Sequence, residues 1–225
     1  MITATALPMG DAAVLLEVPD SASVLALHHA LRERLDQRSC SEADADPFRE
    51  VIDLVPAART VLLHTHPGVD LTALVQAAVD LAASLAEPES TDDTSQGECV
   101  EITVTYDGDD LDDVAQATGL SRDEVIEAHT GSTWRVDFFG FAPGFAYLSG
   151  GDPRLQVARR SEPRTSVPPG SVGLAGEFSA VYPRSSPGGW QLIGRTDAAM
   201  WDESVDPPSL LQPGSLVHFK QAEEA

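Results

Sequence analysis

Seven arginines fall between residues 131 and 200, at positions 135, 154, 159, 160, 164, 184 and 195, against five acids. The chain as a whole is strongly acidic, with a formal charge of −22. The same segment holds 11 of the 17 glycines. Guanidinium groups grip carboxylate and phosphate with two parallel donors. Glycine lets backbone N–H groups approach a ligand closely. A slightly basic, glycine-rich island in an acidic chain therefore points to an anion site. The plainer alternative is that these arginines neutralise nearby Asp and Glu.

Within the island, Arg160 and Arg164 flank Pro163 and are candidates to hold a carboxylate or phosphoryl group. Arg164 is the stronger of the two and is also a catalytic candidate. The densest string runs Gly140-Phe-Ala-Pro-Gly-Phe-Ala-Tyr-Leu148. Pro143-Gly144 forces a turn there, and Phe141, Phe145 and Tyr147 are expected to wall an apolar pocket. Gly170-Ser171-Val172-Gly173 lacks the Gly-x-Ser-x-Gly of a nucleophile elbow. Its backbone, centred on Ser171, is instead expected to form an anion nest with Gly170 and Gly173. Gly188 belongs to the turn Pro187-Gly-Gly-Trp190, and Trp190 is expected to cap the pocket. His129 closes a predicted helix and reads either as an acid/base group beside the anion pocket or as a helix-terminal charge partner. His64-Thr-His66 places two imidazoles on one strand face, but no third ligand is evident and no metal is expected.

Other chemistries are excluded by residue type. The sole lysine is Lys220. There is no Gly-Lys-Ser/Thr for a phosphate-binding loop and no internal lysine for a pyridoxal Schiff base. A Gly-x-Gly-x-x-Gly fingerprint is missing too. Cys40 and Cys99 form neither a metal spacing nor a disulfide framework. The net charge repels nucleic acid and anionic membrane surfaces. The start of the sequence lacks the pattern of a signal peptide, and no apolar stretch approaches the roughly 20 residues of a membrane span. The expectation is a soluble cytoplasmic protein that binds a small molecule.

The elements that must position these residues form an α+β chain. Residues 1–86 read as strand, strand, helix, strand, strand, helix: Ile2–Thr5, Ala13–Val18, a helix from Ser21 or Ser23 to Leu35, Phe48–Leu54, Thr60–His64, and a helix capped by Asp70. That order predicts a two-layer α/β module. Residues 87–98, with five acids among small and polar residues, read as an acidic linker. Val100–Tyr106 alternates as a half-buried strand. Two short helices follow, Asp109–Thr118 and one opened by the capping box Ser121-Arg-Asp-Glu124. Beyond Trp134 short β runs alternate with Pro-Gly turns, the pattern of a closed or nearly closed β-barrel over residues 99–225.

The ordered strings GFAPGFAYL, PRT-x-VP-x-GSVG-x-AG, VYP, SPGGW and IGRT, spread over residues 138–196, resemble the 5-oxoprolinase B-subunit family, also called allophanate hydrolase subunit 1 or KipI-like. The resemblance implies an N-terminal α/β module and a C-terminal cyclophilin-like β-barrel. It also implies a C-type partner subunit and, for 5-oxoprolinase, an A-type one, with ATP consumed by the complex as 5-oxoproline is opened to glutamate. Carboxyl transfer in a biotin-dependent urea or allophanate system and inhibition of a sensor histidine kinase are the alternatives the family offers.

Overall fold

Apolar residues alternate through Val14, Leu16, Val61 and Leu63, and this period of two makes one buried sheet face. The computed structural model describes residues 1–37, 46–87 and 99–223. The linker read at 87–98 lies, after Glu87, outside the described residues, as does Cys40. The chain divides into two compact units, Met1–Asp93 and Thr94–Ala225.

The first unit contains β1 (Thr5–Pro8), β2 (Ala13–Glu17), α1 (Ser21–Gln37), β3 (Val51–Pro56), β4 (Thr60–Thr65) and α2 (Leu71–Ser84). Its sheet has the order β1-β2-β4-β3, antiparallel throughout. Leu27 and Leu31 of α1 and Leu74 and Ala78 of α2 pack on the apolar face. Asp70 caps α2 through a 2.9 Å bond from the Thr72 N–H. The first strand lies three residues later than its β-propensity suggested. Ile2 is instead buried in the core, and its N–H donates to Leu85 O. Pro8 ends an edge strand, where its missing N–H costs no ladder bond. The third strand also starts later, because Phe48 turns inward ahead of it.

The second unit contains β5 (Cys99–Val104), α3 (Leu111–Thr118), α4 (Arg122–Thr130), β6 (Thr133–Phe139), β7 (Ala146–Ser149), β8 (Arg164–Val167), β9 (Ser171–Ala175), β10 (Phe178–Val181), β11 (Ser186–Gly188), β12 (Gln191–Arg195) and β13 (Leu216–Gln221). Seven strands form one sheet in the order β12-β9-β10-β7-β6-β13-β5. A bridge between Thr105 and Arg195 brings its two ends together into a nearly closed barrel. Gly194 permits that closure, since a Cβ there would lie 2.5 Å from Thr105 O. Ile102, Val104, Trp134, Val136, Leu148, Val172 and Val217 fill the interior, with α3 and α4 packed on the same core. The capping box Ser121–Glu124 opens α4, satisfying two free N–H groups. β8 and β11 form a separate two-stranded sheet. A second apolar cluster, Phe145, Val167, Tyr182, Trp190 and Leu192, is distinct from the main barrel core. Among the described residues no helix is long and apolar enough to cross a membrane.

Candidate functional site

The arginine island is organised by a carboxylate that the sequence did not single out. Asp110 sits at the start of α3 with 1% of its surface exposed. Its side chain makes no cap bond to the helix. Oδ1 instead accepts from Arg160 Nη1 at 2.5 Å and from Arg164 Nη2 at 2.8 Å. Oδ2 accepts from the Leu192 N–H at 2.7 Å. Burial opposes the charge on Asp110. The hydrogen bonds from Arg164 and Leu192, with the charges of both arginines, outweigh burial and hold its carboxyl below the usual range. The bond to Asp110 in turn raises Arg164 above its ordinary value.

Two guanidiniums thus share one buried carboxylate, and Arg164 Nη2 also lies 3.8 Å from the exposed carboxylate of Asp109. Arg164 Nη1 and Arg160 Nε have no hydrogen-bond partner among the described residues. Buried donors of this kind are costly unless something accepts from them. About a third of the Arg160 side chain and a fifth of that of Arg164 remain exposed.

The aromatic residues lie alongside. Gly188 pairs with Arg164 across the β8–β11 ribbon, and a Cβ on Gly188 would be driven into Tyr182 Oη. Tyr182 feels the charges of Arg159 and Arg164, while burial raises its phenol. Phe145 meets Tyr182, Trp190 and Tyr147 edge-on, with ring centres 5.2, 5.5 and 5.2 Å apart. The Arg159 guanidinium lies 5.9 Å from the centre of the Trp190 ring. Tyr147, Arg160, Arg164, Gly188 and Trp190 therefore lie around Phe145 and Tyr182, and Phe141 touches the same two rings with centres 5.2 and 6.3 Å away, whereas Gly144 faces Met200 and Trp201.

Their roles differ in detail from the expectation. Trp190 is 4% exposed and is a buried member of the aromatic cluster, so it does not cap a pocket from outside. Phe141 is the exposed ring, at 56%, and its backbone φ of 67° is a left-handed value that a Phe adopts only under strain. Gly144 has φ 76°, and a Cβ there would lie 2.9 Å from Trp201 Cβ.

Two expected site residues stand apart from this arrangement. Ser171 begins β9 and is nearly buried. Its N–H donates to Pro168 O at 3.4 Å, and the Gly170 N–H donates to Tyr182 O at 2.7 Å. The nest read at that turn is therefore corrected: those two donors are already engaged in the barrel wall. His129 is fully buried in the barrel interior, not beside the arginines. Nδ1 bonds the Tyr106 hydroxyl at 2.7 Å and Nε2 the Ser179 hydroxyl at 2.9 Å. Its ring stacks on Phe219 at 4.3 Å. Burial lowers its pKa to about 3, so it is neutral. The acid/base position expected for His129 is corrected to that of a hydrogen-bonded core histidine. His64 and His66 are exposed at the end of β4, and no group of three metal-ligating side chains exists among the described residues.

The barrel with an arginine–aromatic site on its wall has clear relatives. Residues 4–211 match the model of the carboxyltransferase domain, subdomain C and D, and the chain belongs to that family. It is 34% identical over 223 residues to a 5-oxoprolinase B subunit of Bacillus subtilis, covering 92% of both chains. Among solved structures, TTHA0988 is 32% identical with a TM-score of 0.72 over 95% of this chain. The present chain spans 40% of the length of that protein. The urea amidolyase of K. lactis shares the fold, with a TM-score of 0.74 over 97% of this chain and 15% of its own, at 17% identity.

Proposed function

We propose that this chain is the B component of a multi-subunit, ATP-dependent 5-oxoprolinase, or of a close relative acting on an amide- or urea-type substrate. The observation that carries this reading is the Asp110–Arg160–Arg164 cluster, with unpartnered guanidinium donors and the Tyr182 phenol within reach of the Arg164 charge. The similarity to the B subunit of 5-oxoprolinase over nearly the whole chain supports it. In this reading residues 1–86, 87–98 and 99–225 are an α/β module, an acidic linker and a cyclophilin-like β-barrel domain. The partners are a C-type and an A-type subunit in the cytoplasm.

The chemistry follows from what guanidinium can do. Opening a lactam puts negative charge on the amide oxygen as the carbonyl is attacked. Arginine donors aimed at that oxygen, or at the substrate carboxylate, stabilise the developing anion. Asp110 fixes the two forks so that little reorganisation is needed when charge appears. The buried Tyr182 supplies an apolar wall that excludes water and strengthens these contacts.

ATP is a co-substrate of the whole complex, and this chain is a poor fit for it. The Gly170 and Ser171 donors that could cradle a phosphate chain are engaged elsewhere, so no step here is routed through the nucleotide.

Carboxyl transfer is the second reading, favoured by the family match itself. A histidine-kinase inhibitor of the KipI type is a third, and it would need an exposed apolar face. In the Gly140–Leu148 segment Phe141 is exposed, whereas Phe145, Ala146 and Leu148 are buried.

The test is reconstitution with A-type and C-type subunits, assayed with 5-oxoproline and ATP. Glutamate formation should require all three proteins, with the isolated chain inactive. Turnover by this chain alone would overturn the subunit reading. Transfer of carboxylate from a biotin carrier, with no lactam opening, would favour the second.

A further inference from the structure

The barrel wall is not closed along its whole height. From Thr105 onward the chain presses against β12. Thr105 and Arg195 exchange both backbone bonds, Gly108 N–H donates to Ile193 O, and Asp110 N–H donates to Leu192 O. In the other direction the two strands part. After Arg195 the chain leaves β5 and turns toward β9, with the Thr196 N–H donating to Gly170 O. Glu101 and Thr103 of β5 are left facing a cavity of about 340 Å³, which Thr196, Asp197 and Ala198 line from the far side.

The backbone of β5 points into this split. β5 pairs with β13 along its other edge, in parallel, and Val104 O accepts from the Ala222 N–H on that side. Backbone groups alternate in direction along a strand. Val100, Ile102 and Val104 therefore face β13, while Glu101, Thr103 and Thr105 face the split. Thr105 is satisfied by Arg195. β5 is the last strand of its sheet and meets β12 only at the Thr105–Arg195 bridge, so the N–H and C=O groups of Glu101 and Thr103 have no ladder partner among the described residues. A row of unpaired strand groups beside a cavity is a template for one more strand.

We infer that this split is a docking site for an extended, basic segment of a partner chain, which adds a strand beside β5 and completes the barrel wall. The reading is independent of the reaction catalysed. A single extended segment fits because the split is bounded on both sides, by β5 and by residues 196–198. The edge of a second barrel would meet the 196–198 wall. A second copy of this chain is further disfavoured by its charge of −22. The preference for basic residues comes from the rim. Arg195 is bound to Asp107 at 2.9 Å and Lys220 to Glu101 at 3.7 Å. Asp197 lines the split, is exposed and has no ion-pair partner among the described residues, and the exposed Glu223 directly follows Ala222, which lines the split too. Alternate residues of the incoming segment would project beside Glu101 and Thr103, which point outward.

The probe is the peptide Lys-Val-Lys-Val-Lys-Val. It is added free to the full chain, and also joined to its C-terminus by a flexible glycine–serine linker that raises the local concentration to about millimolar. Amide hydrogen exchange is read residue by residue. The Glu101 and Thr103 amides should slow by about tenfold or more, as for a new ladder bond. The Ile102 and Val104 amides, already directed at β13, should not change. Thr103→Pro should keep the fold, because the lost N–H belongs to no ladder within the chain, yet remove the protection at Glu101. A peptide N-methylated at alternate residues should not protect. No slowing in the tethered form overturns the proposal, as does equal slowing in Thr103→Pro. Equal protection by Glu-Val-Glu-Val-Glu-Val overturns the basic preference. Protection that rises with protein concentration in the absence of peptide would identify a second copy as the occupant and overturn the assignment to a partner chain.

Discussion

Asp110 Oδ1 lies 2.8 Å from Arg164 Nη2, across a sequence gap of 54 residues, and the same oxygen takes Arg160. One carboxylate thus fixes two guanidiniums while leaving other donors of each unpartnered. Asp110→Asn should therefore act on stability and function together. Removing one partner of a buried pair costs several kcal/mol, and the partial exposure of both arginines reduces that to about 2 kcal/mol. Chemical denaturation measures the loss. Turnover of the reconstituted complex should fall well beyond the fraction unfolded at the assay temperature. A variant with unchanged stability would show that the cluster is not organised by Asp110.

Arg164→Lys separates charge from geometry. Lysine can still pair with Asp110 but has no second fork for an anion. Loss of one charge-assisted bond in the transition state should slow turnover by about 10- to 150-fold. The melting temperature should fall less for Lys than for Arg164→Ala. Full activity in the Lys variant would remove Arg164 from the anion-binding role.

Gly144→Ala tests the tight turn before β7. The left-handed backbone costs an alanine about 1 kcal/mol. Contact with Trp201 Cβ at 2.9 Å and Met200 O at 3.0 Å adds strain of about 1–3 kcal/mol. A drop of that combined size in unfolding free energy is expected, together with a change in Phe141 near-ultraviolet dichroism as the loop shifts. A neutral substitution would mean that the turn relaxes freely.

Burial of His129 should make the folded state sensitive to acid. Its folded pKa of about 3 lies below the ordinary value of 6.5. Between those values the unfolded chain binds the proton and the folded one does not, so stability falls as pH drops through this window. From pH 7 to pH 5 the loss should be about 2 kcal/mol. Denaturation curves at pH 7 and pH 5 measure it. His129→Gln should be less stable at pH 7 and show a flatter pH dependence over the same interval. An unchanged slope would place the acid sensitivity elsewhere.

Local signals in the sequence were enough for the helices. Asp70 before α2 and the Ser121–Glu124 box before α4 act within a few residues, so they can be read without the rest of the fold. The strands that escaped notice are β7, β8 and β11. Ala146–Ser149, Arg164–Val167 and Ser186–Gly188 are too short to show alternation, and the last contains Pro and Gly. Pairing with distant strands makes them strands. The arginines and aromatic rings were legible from composition and spacing, which are properties of one segment. Asp110 was not, because it stands in a run with Asp109, Asp112 and Asp113 that any acidic helix start could contain. Which of these meets Arg160 is decided by the approach of α3 to the Leu192 backbone. His129 misled for the converse reason. The groups that enclose it, Ser179 and Phe219, lie 50 and 90 residues further along the chain.

The pairing of β5 with β13 also sets an order of events during synthesis. Cys99 is registered against Leu216 and Val104 against Gln221, so the strand that opens the barrel is partnered along this edge by the strand that ends it. A ribosome releases the chain from the N-terminus at about 5–20 residues per second. β5 therefore emerges seconds before its parallel partner and waits with both edges bare. During that interval its alternating apolar residues, Val100, Ile102 and Val104, are available to any other nascent strand. The charge of Glu101 between them is then the chain's protection against premature pairing.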